Sequence, residues 1–419
     1  MSFKKIFTSS GVNFLFRIFG LGTSFFTTII ITKLFGINTF GNYSLIFAIA
    51  QIAALFFTLG IPNTLIKIVG NENFNYLQAK ELLKNGLKGS LLFSIIPMLI
   101  FYFGSDFFSE TIFNNIQLKN YFLIIAIATP LFIVHEILLY FFIATKNFMK
   151  YNLFMFVLPN VILIIFLFMF YNLKLENQYT FIAFSISILI TVLIEVATIF
   201  NLKKQKATSS ISTLNLIKTA SPLLFSGLFI YLLNNANIIL LGFLSDETQV
   251  GIYNIAYKIG SIGFLIIVSV STIITPKMAE LYGENNMLEL KKLTHKATQL
   301  IAVLSIPLVL ILILFSKFIL SFWGEEIITG GTAMIIISIG VLLSAIAGNV
   351  DQILNMTNNQ NILRNITIFS FFVHIIISFF LIKNYGINGA AIATLITNVL
   401  INILCLYFIK KKLGFYTLF

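Results

Sequence analysis

"KLFGINTFGNYSLIF", residues 33–47, interrupts two long apolar runs. "GFLSDETQVGIYNIAY", residues 242–257, interrupts two more in the other half of the chain. Both interruptions contain Gly-x-Tyr: Gly41 with Tyr43, and Gly251 with Tyr253. Further markers recur in the same order. Pro62 is followed by "GNEN" at 70–73, Pro276 by "GENN" at 283–286, and Pro97 has its counterpart in Pro307. A fixed order at nearly constant offset is the signature of an internal duplication. In this reading Pro62 and Pro276 each close the second span of a half. Gly41 and Gly251 are structural turn residues, one per half, where a missing side chain permits a tight turn or close helix approach.

Hydrophobic residues fill 58% of the 419 positions and charged residues only 10%. A soluble domain cannot cover its surface with so few charges. The apolar runs are about 20 residues long, enough to cross a hydrocarbon core of roughly 30 Å. Phe, Ile and Leu dominate throughout, so span length rather than propensity decides for helices. The chain reads as an all-α integral membrane protein with about twelve transmembrane helices. They lie near 10–32, 42–64, 85–104, 120–143, 152–171, 179–200, 217–241, 251–274, 297–315, 331–354, 363–382 and 388–409. The duplicated unit holds six spans, an even number, so both halves insert with the same orientation. A parallel repeat of this kind gives two six-helix lobes with a central cavity between them. The lobes are 1–202 and 217–419, joined by a cytoplasmic linker at 203–216.

The basic residues give the orientation. With the N-terminus in the cytoplasm, Lys33, Lys119, Lys174, Lys317 and Lys383 fall outside, Arg17 and Lys258 fall within spans, and all the others fall inside. Both termini are then cytoplasmic. These lysines are spread over many short loops, a pattern that excludes nucleic acid as a partner. Lys4 and Lys5 precede an apolar stretch that continues to about residue 32, which reads as an uncleaved first span. Cys405, the only cysteine, reads as a small buried hydrophobe. The chain has no GxxxxGK[ST] phosphate loop and no metal-ligand cluster, so neither ATP hydrolysis nor a cofactor is expected.

The stretch "LFG…FGNYSL…IAQI…LGIPNTLIKIVG" at 34–70 resembles the polysaccharide-transport family, which includes bacterial O-antigen and other oligosaccharide-lipid flippases. "NNANIILLGFLSDETQVGIYNIAYKIGSI" at 234–262 resembles its second-lobe counterpart, and "NYGINGAAIATLI" at 384–396 its final-helix entry. The resemblance implies the fold of the multidrug/oligosaccharidyl-lipid/polysaccharide exporter superfamily. It implies a non-enzymatic transporter of the bacterial cytoplasmic membrane that moves an undecaprenyl-pyrophosphate-linked oligosaccharide to the outer leaflet. Membrane lipids, an O-antigen polymerase and a chain-length regulator are the partners it implies. Family members often carry an acidic residue in helix 7, where this chain has Asn237.

An ionisable group inside a membrane usually faces a wet cavity. Arg17 and Lys258 are each about two turns into a span, in opposite halves. Both are expected to face the cavity and attract the pyrophosphate or acidic sugars, the planar fork of Arg suiting phosphate. Asn234 and Asn237 are spaced to share a helix face and either bind sugar hydroxyls or hold helices together. Glu136, deep in the fourth span and next to His135, is the candidate for proton coupling. Glu195 and Asp351 lie near inner span ends and are expected to reach the headgroups, while His374 reads as a hydrogen-bonded packing residue. A drug/cation antiporter of the same superfamily would use a cavity carboxylate, whereas the basic pair favours an anionic substrate. A membrane O-antigen polymerase or glycosyltransferase would carry a large outer loop. The longest outer loops here, near 105–119 and 316–330, are only about 15 residues.

Overall fold

The computed structural model describes residues 3–71, 76–200 and 213–417, and among them all regular structure is helical. Helices satisfy every backbone polar group within one segment, which lipid demands. Contacts divide the chain into two units, Met1–Tyr231 and Leu232–Phe419. Most of the linker expected at 203–216 lies outside the described residues.

The first unit contains α1 (Phe3–Phe35), α2 (Ile37–Phe57), α3 (Ile61–Asn71), α4 (Tyr76–Phe93), α5 (Ile95–Phe103), α6 (Leu118–Ala144), α7 (Phe148–Asn152), α8 (Leu158–Asn172) and α9 (Tyr179–Phe200). The next helix, α10 (Thr213–Leu244), ends in the second unit. That unit continues with α11 (Glu247–Gly260), α12 (Phe264–Gly283), α13 (Met287–Leu314), α14 (Ser316–Ser321), α15 (Gly331–Ala347), α16 (Val350–Met356) and α17 (Gln360–Leu413). Among the described residues, ten helical segments are long and apolar enough to cross a membrane, which makes this a multi-pass membrane protein. One of them, α17, has 54 residues, a length of about 80 Å at 1.5 Å per residue. It breaks at Gly386 (φ 53°, ψ −132°) into two crossings. A Cβ at Gly389 would run into the backbone of Leu381, so the second half-helix turns back tightly against the first. With α10, whose Tyr231–Leu244 portion is apolar, the expected twelve are accounted for.

The duplication is visible in the packing. In the first unit α6 packs against α2, α5 and α9; in the second, α15 packs against α11, α13 and α17. Tyr43 meets the edge of Phe184, with ring centroids 5.8 Å apart. At an offset of 210 residues, Tyr253 meets Thr394 through an oxygen–oxygen contact of 3.1 Å. The same contact is therefore aromatic in one unit and polar in the other.

The turns differ from the sequence reading. Gly41 and Gly251 are not turn residues: both are buried inside helices, α2 and α11. In the first half the turn falls on Gly36, whose φ of 89° is left-handed backbone that other residues strain to adopt. In the second half it has no such glycine. Asp246 caps α11 instead, its carboxylate accepting the backbone N–H of Gln249 at 2.8 Å. Pro62 does not close a span either. The chain breaks earlier, at Leu59 and Gly60 (φ 56° and 75°), and Pro62 enters the first turn of α3, where its missing N–H is harmless. Pro276 lies inside α12, which runs on to Gly283.

Candidate substrate-binding site

A second broken helix builds a cavity. The sequence "AIAGNVD" at 345–351 places Gly-Asn inside an apolar run, a turn signal within a span. Here α15 stops and Gly348 takes φ 81°. A Cβ at Gly348 would also collide with Thr298, so backbone conformation and space both require glycine. The Thr417 hydroxyl donates to the freed carbonyl of Ala347 at 2.7 Å. The next residue, Asn349, is buried; its Oδ1 accepts from the Ser271 hydroxyl at 2.7 Å, while its Nδ2 has no hydrogen-bond partner.

Around this break lies a cavity of about 640 Å³, formed wholly by the second unit. α10 contributes Asn234; α12 contributes Ser271, Thr272 and Thr275; α17 contributes Asn398 and Asn402. Ser344 lines it from α15, and Asp351 and Gln352 from α16. Asn402 donates to Ser344 at 2.9 Å, and Gln352 donates to Asp351 at 2.9 Å. Phe264, Ile267, Val268 and Pro276 give apolar faces. Among the described residues, the lining includes no lysine, arginine or histidine.

The expected site residues are thus not all brought together. Asn234 is exposed and lines the cavity, as a ligand-binding amide must. Asn237 is buried and committed to protein. Its Nδ2 has the Tyr253 hydroxyl at 2.9 Å, the Ala390 carbonyl at 3.0 Å and the Thr394 hydroxyl at 2.8 Å. Its Oδ1 accepts from Ser378 at 2.8 Å. Assignment of Asn237 to substrate is therefore corrected: it ties α10 to α11 and to both halves of α17. His374 continues the chain, 3.3 Å from Ser378 and 2.8 Å from Thr397, which makes it a hydrogen-bonded packing residue. Lys258 is half-buried near the end of α11 and does not line this cavity. Arg17 lies on α1, and its side chain is outside the described residues.

In the first unit, Glu195 does not reach a headgroup region. It is wholly buried, and its Oε2 lies 3.1 Å from Nδ1 of His135, also buried. The other carboxylate oxygen, Oε1, has no hydrogen-bond partner. Glu136 is half-buried, one residue from the pair. Sequence reasoning noticed His135 and Glu195 separately but not together, since nothing local links α6 to α9. It also missed the second-unit cavity as such, whose local signals were Asn234 and the Gly-Asn pair.

The comparisons agree with this architecture. A family model described as polysaccharide biosynthesis protein matches residues 3–282, and a second, MatE, matches residues 222–380. A protein named "Probable flippase AglR", from Haloferax volcanii, is 27% identical over 176 residues, 41% of this chain and 37% of that protein. The capsular polysaccharide biosynthesis protein CapF of Staphylococcus aureus is 27% identical over 191 residues, 45% of this chain and 48% of that one. The matched segments thus span less than half the length of either relative. Among solved structures, an inward-facing multidrug resistance MATE family transporter of the MOP superfamily gives a TM-score of 0.80 at 15% identity, covering 94% of each chain. The lipid II flippase MurJ, in an inward closed conformation, gives 0.77 at 17% identity, covering 96% of this chain and 87% of that one. At these identities the likeness shows the fold, that of two-lobed helical transporters.

Proposed function

This chain belongs to the polysaccharide biosynthesis protein family, and from that membership and its cavity we propose that it is a lipid-linked oligosaccharide flippase. The substrate we assign is an undecaprenyl-pyrophosphate-linked oligosaccharide, such as an O-antigen repeat unit. It would pass from the cytoplasmic to the periplasmic leaflet of a bacterial inner membrane by alternating access. The observation that carries the reading is the cavity: amides and hydroxyls gathered inside an apolar bundle, at a volume typical of ligand sites. Buried polar groups are costly in lipid, so such a lining marks a wet surface made for a polar ligand. Relatives named as flippases support the class of transport.

In this mechanism the glycan occupies the polar cavity while the polyprenyl tail stays in lipid. Asn234 reaches sugar hydroxyls, and Arg17 and Lys258 supply positive charge for the pyrophosphate. Both termini face the cytoplasm, and a polymerase and a chain-length regulator act on the exported unit. Proton coupling, assigned to Glu136, includes its buried neighbours His135 and Glu195. The match of the MatE model supports one second reading, a drug/cation antiporter. Deletion in the native host separates the two. The flippase reading expects complete lipid-linked repeat units to accumulate on the inner leaflet and surface polysaccharide to be lost. Unchanged glycans with raised drug sensitivity would overturn it in favour of the antiporter.

A further inference from the structure

We infer that the second-unit cavity is a subsite for neutral, hydroxyl- and amide-bearing sugars, and that Asp351 is its specificity determinant, rejecting sugars that carry a carboxylate. The inference rests on the flippase reading for its biological ligand but on this cavity's own chemistry for its selectivity.

The amides Asn234, Gln352, Asn398 and Asn402 each offer both donors and an acceptor, the match that sugar hydroxyls and N-acetyl groups need. Phe264 and Pro276 supply flat apolar surface for the C–H face of a pyranose ring. Part of the lining is held in place beforehand. Ser271 is fixed on Asn349, and Asn402 on Ser344, so these groups need not be ordered when a ligand enters.

Charge sets the selectivity. Among the described residues, Asp351 is the only ionisable one lining the cavity. Its carboxylate accepts from the uncharged amide of Gln352, and among the described residues it has no ion-pair partner. The lysine that follows Pro276, Lys277, is held by Glu280 at 2.6 Å. A uronic acid placed here would bring a second negative charge beside Asp351, with no cation among the described lining residues to offset it, and like charges in a partly desolvated site repel strongly. The same argument keeps the pyrophosphate out of this cavity. The head group is therefore divided, with sugar here and phosphate at cations elsewhere in the chain. Asp351 also sits in the first turn of α16, where a carboxylate is favourable for the helix alone. The test must separate that structural role from selection.

The full chain in nanodiscs is titrated with methyl N-acetylglucosaminide and with methyl galacturonoside, binding being followed by saturation-transfer NMR. The same protein in liposomes is offered undecaprenyl pyrophosphate bearing either sugar, and leaflet transfer is timed. The wild type is expected to prefer the neutral sugar by about tenfold or more in both assays. Asp351→Asn, nearly isosteric, should reduce the preference to within about threefold, and Asp351→Lys should invert it. Asn398→Leu should weaken neutral-sugar binding without admitting the acid, a second reading should Asp351→Lys fail to fold. Equal binding of both sugars by the wild type, or undiminished discrimination in a folded Asp351→Asn protein, would overturn the inference. Asp351-dependent sugar selection without leaflet transfer would uphold the subsite and count against the flippase.

Discussion

At the residue scale, the groups most costly to change are those whose polar atoms have nowhere else to turn. Asn237 satisfies partners on α11 and on both halves of α17, so Asn237→Ala leaves the Ser378 and Tyr253 hydroxyls and the Ala390 carbonyl short of a partner. In membrane bundles such bonds are each worth about 0.6–1.7 kcal/mol. The variant should unfold at a clearly lower temperature in detergent, and an unchanged melting temperature would show that water replaces the amide. The His135–Glu195 pair is buried as well. Removing one partner leaves a polar or charged group stranded, a loss of about 3–5 kcal/mol in buried ion pairs. His135→Ala and Glu195→Ala should each fail to accumulate in the membrane or melt early. The double variant should cost less than the two losses added, as a thermodynamic cycle on purified protein would reveal. Both clusters were partly legible. The sequence showed Asn234 and Asn237 on one helix face and the titratable groups, but partners 60 and 141 residues away leave no local mark.

Breaks in helices are what shape this protein at the element scale. The span lengths, and the break between the last two spans, were legible because lipid thickness fixes the first and the polar stretch Lys383-Asn384, followed by Gly386, interrupts the apolar run. The turn of the first half was misread. Two glycines lie within six residues, and the recurrence of Gly-x-Tyr pointed to Gly41, whereas the backbone needs left-handed φ only at Gly36. Gly36→Ala tests this directly. Nothing crowds the position, so the loss should come from backbone strain alone, about 1–2 kcal/mol. Gly41→Ala should not mimic that strain, since Gly41 is already helical. At Gly348, conformation and the collision with Thr298 add together, so Gly348→Ala should lower stability more than Gly36→Ala. Comparable thermal shifts for the two would contradict that ordering.

On the scale of the whole molecule, the duplication was legible from markers alone, and the repeated packing of α6 and α15 bears it out. What the markers could not show is how far the halves have diverged in chemistry. Tyr43 sits among Phe47, Phe181 and Phe184, whereas Tyr253 sits among Asn237 and Thr394. The first unit thus has an aromatic core at the position where the second has a polar network. A repeat read from spacing conserves geometry, and polarity is free to change within it. The cavity belongs to the second unit, and its polarity is the foundation of the functional reading. Reconstitution in liposomes with a fluorescent undecaprenyl-pyrophosphate-linked oligosaccharide therefore tests that reading most directly. Transfer between leaflets should be faster with the protein than in protein-free vesicles, and should slow in Asn398→Leu. Leaflet transfer no faster than in empty vesicles, with cationic drugs exchanged instead, would contradict it.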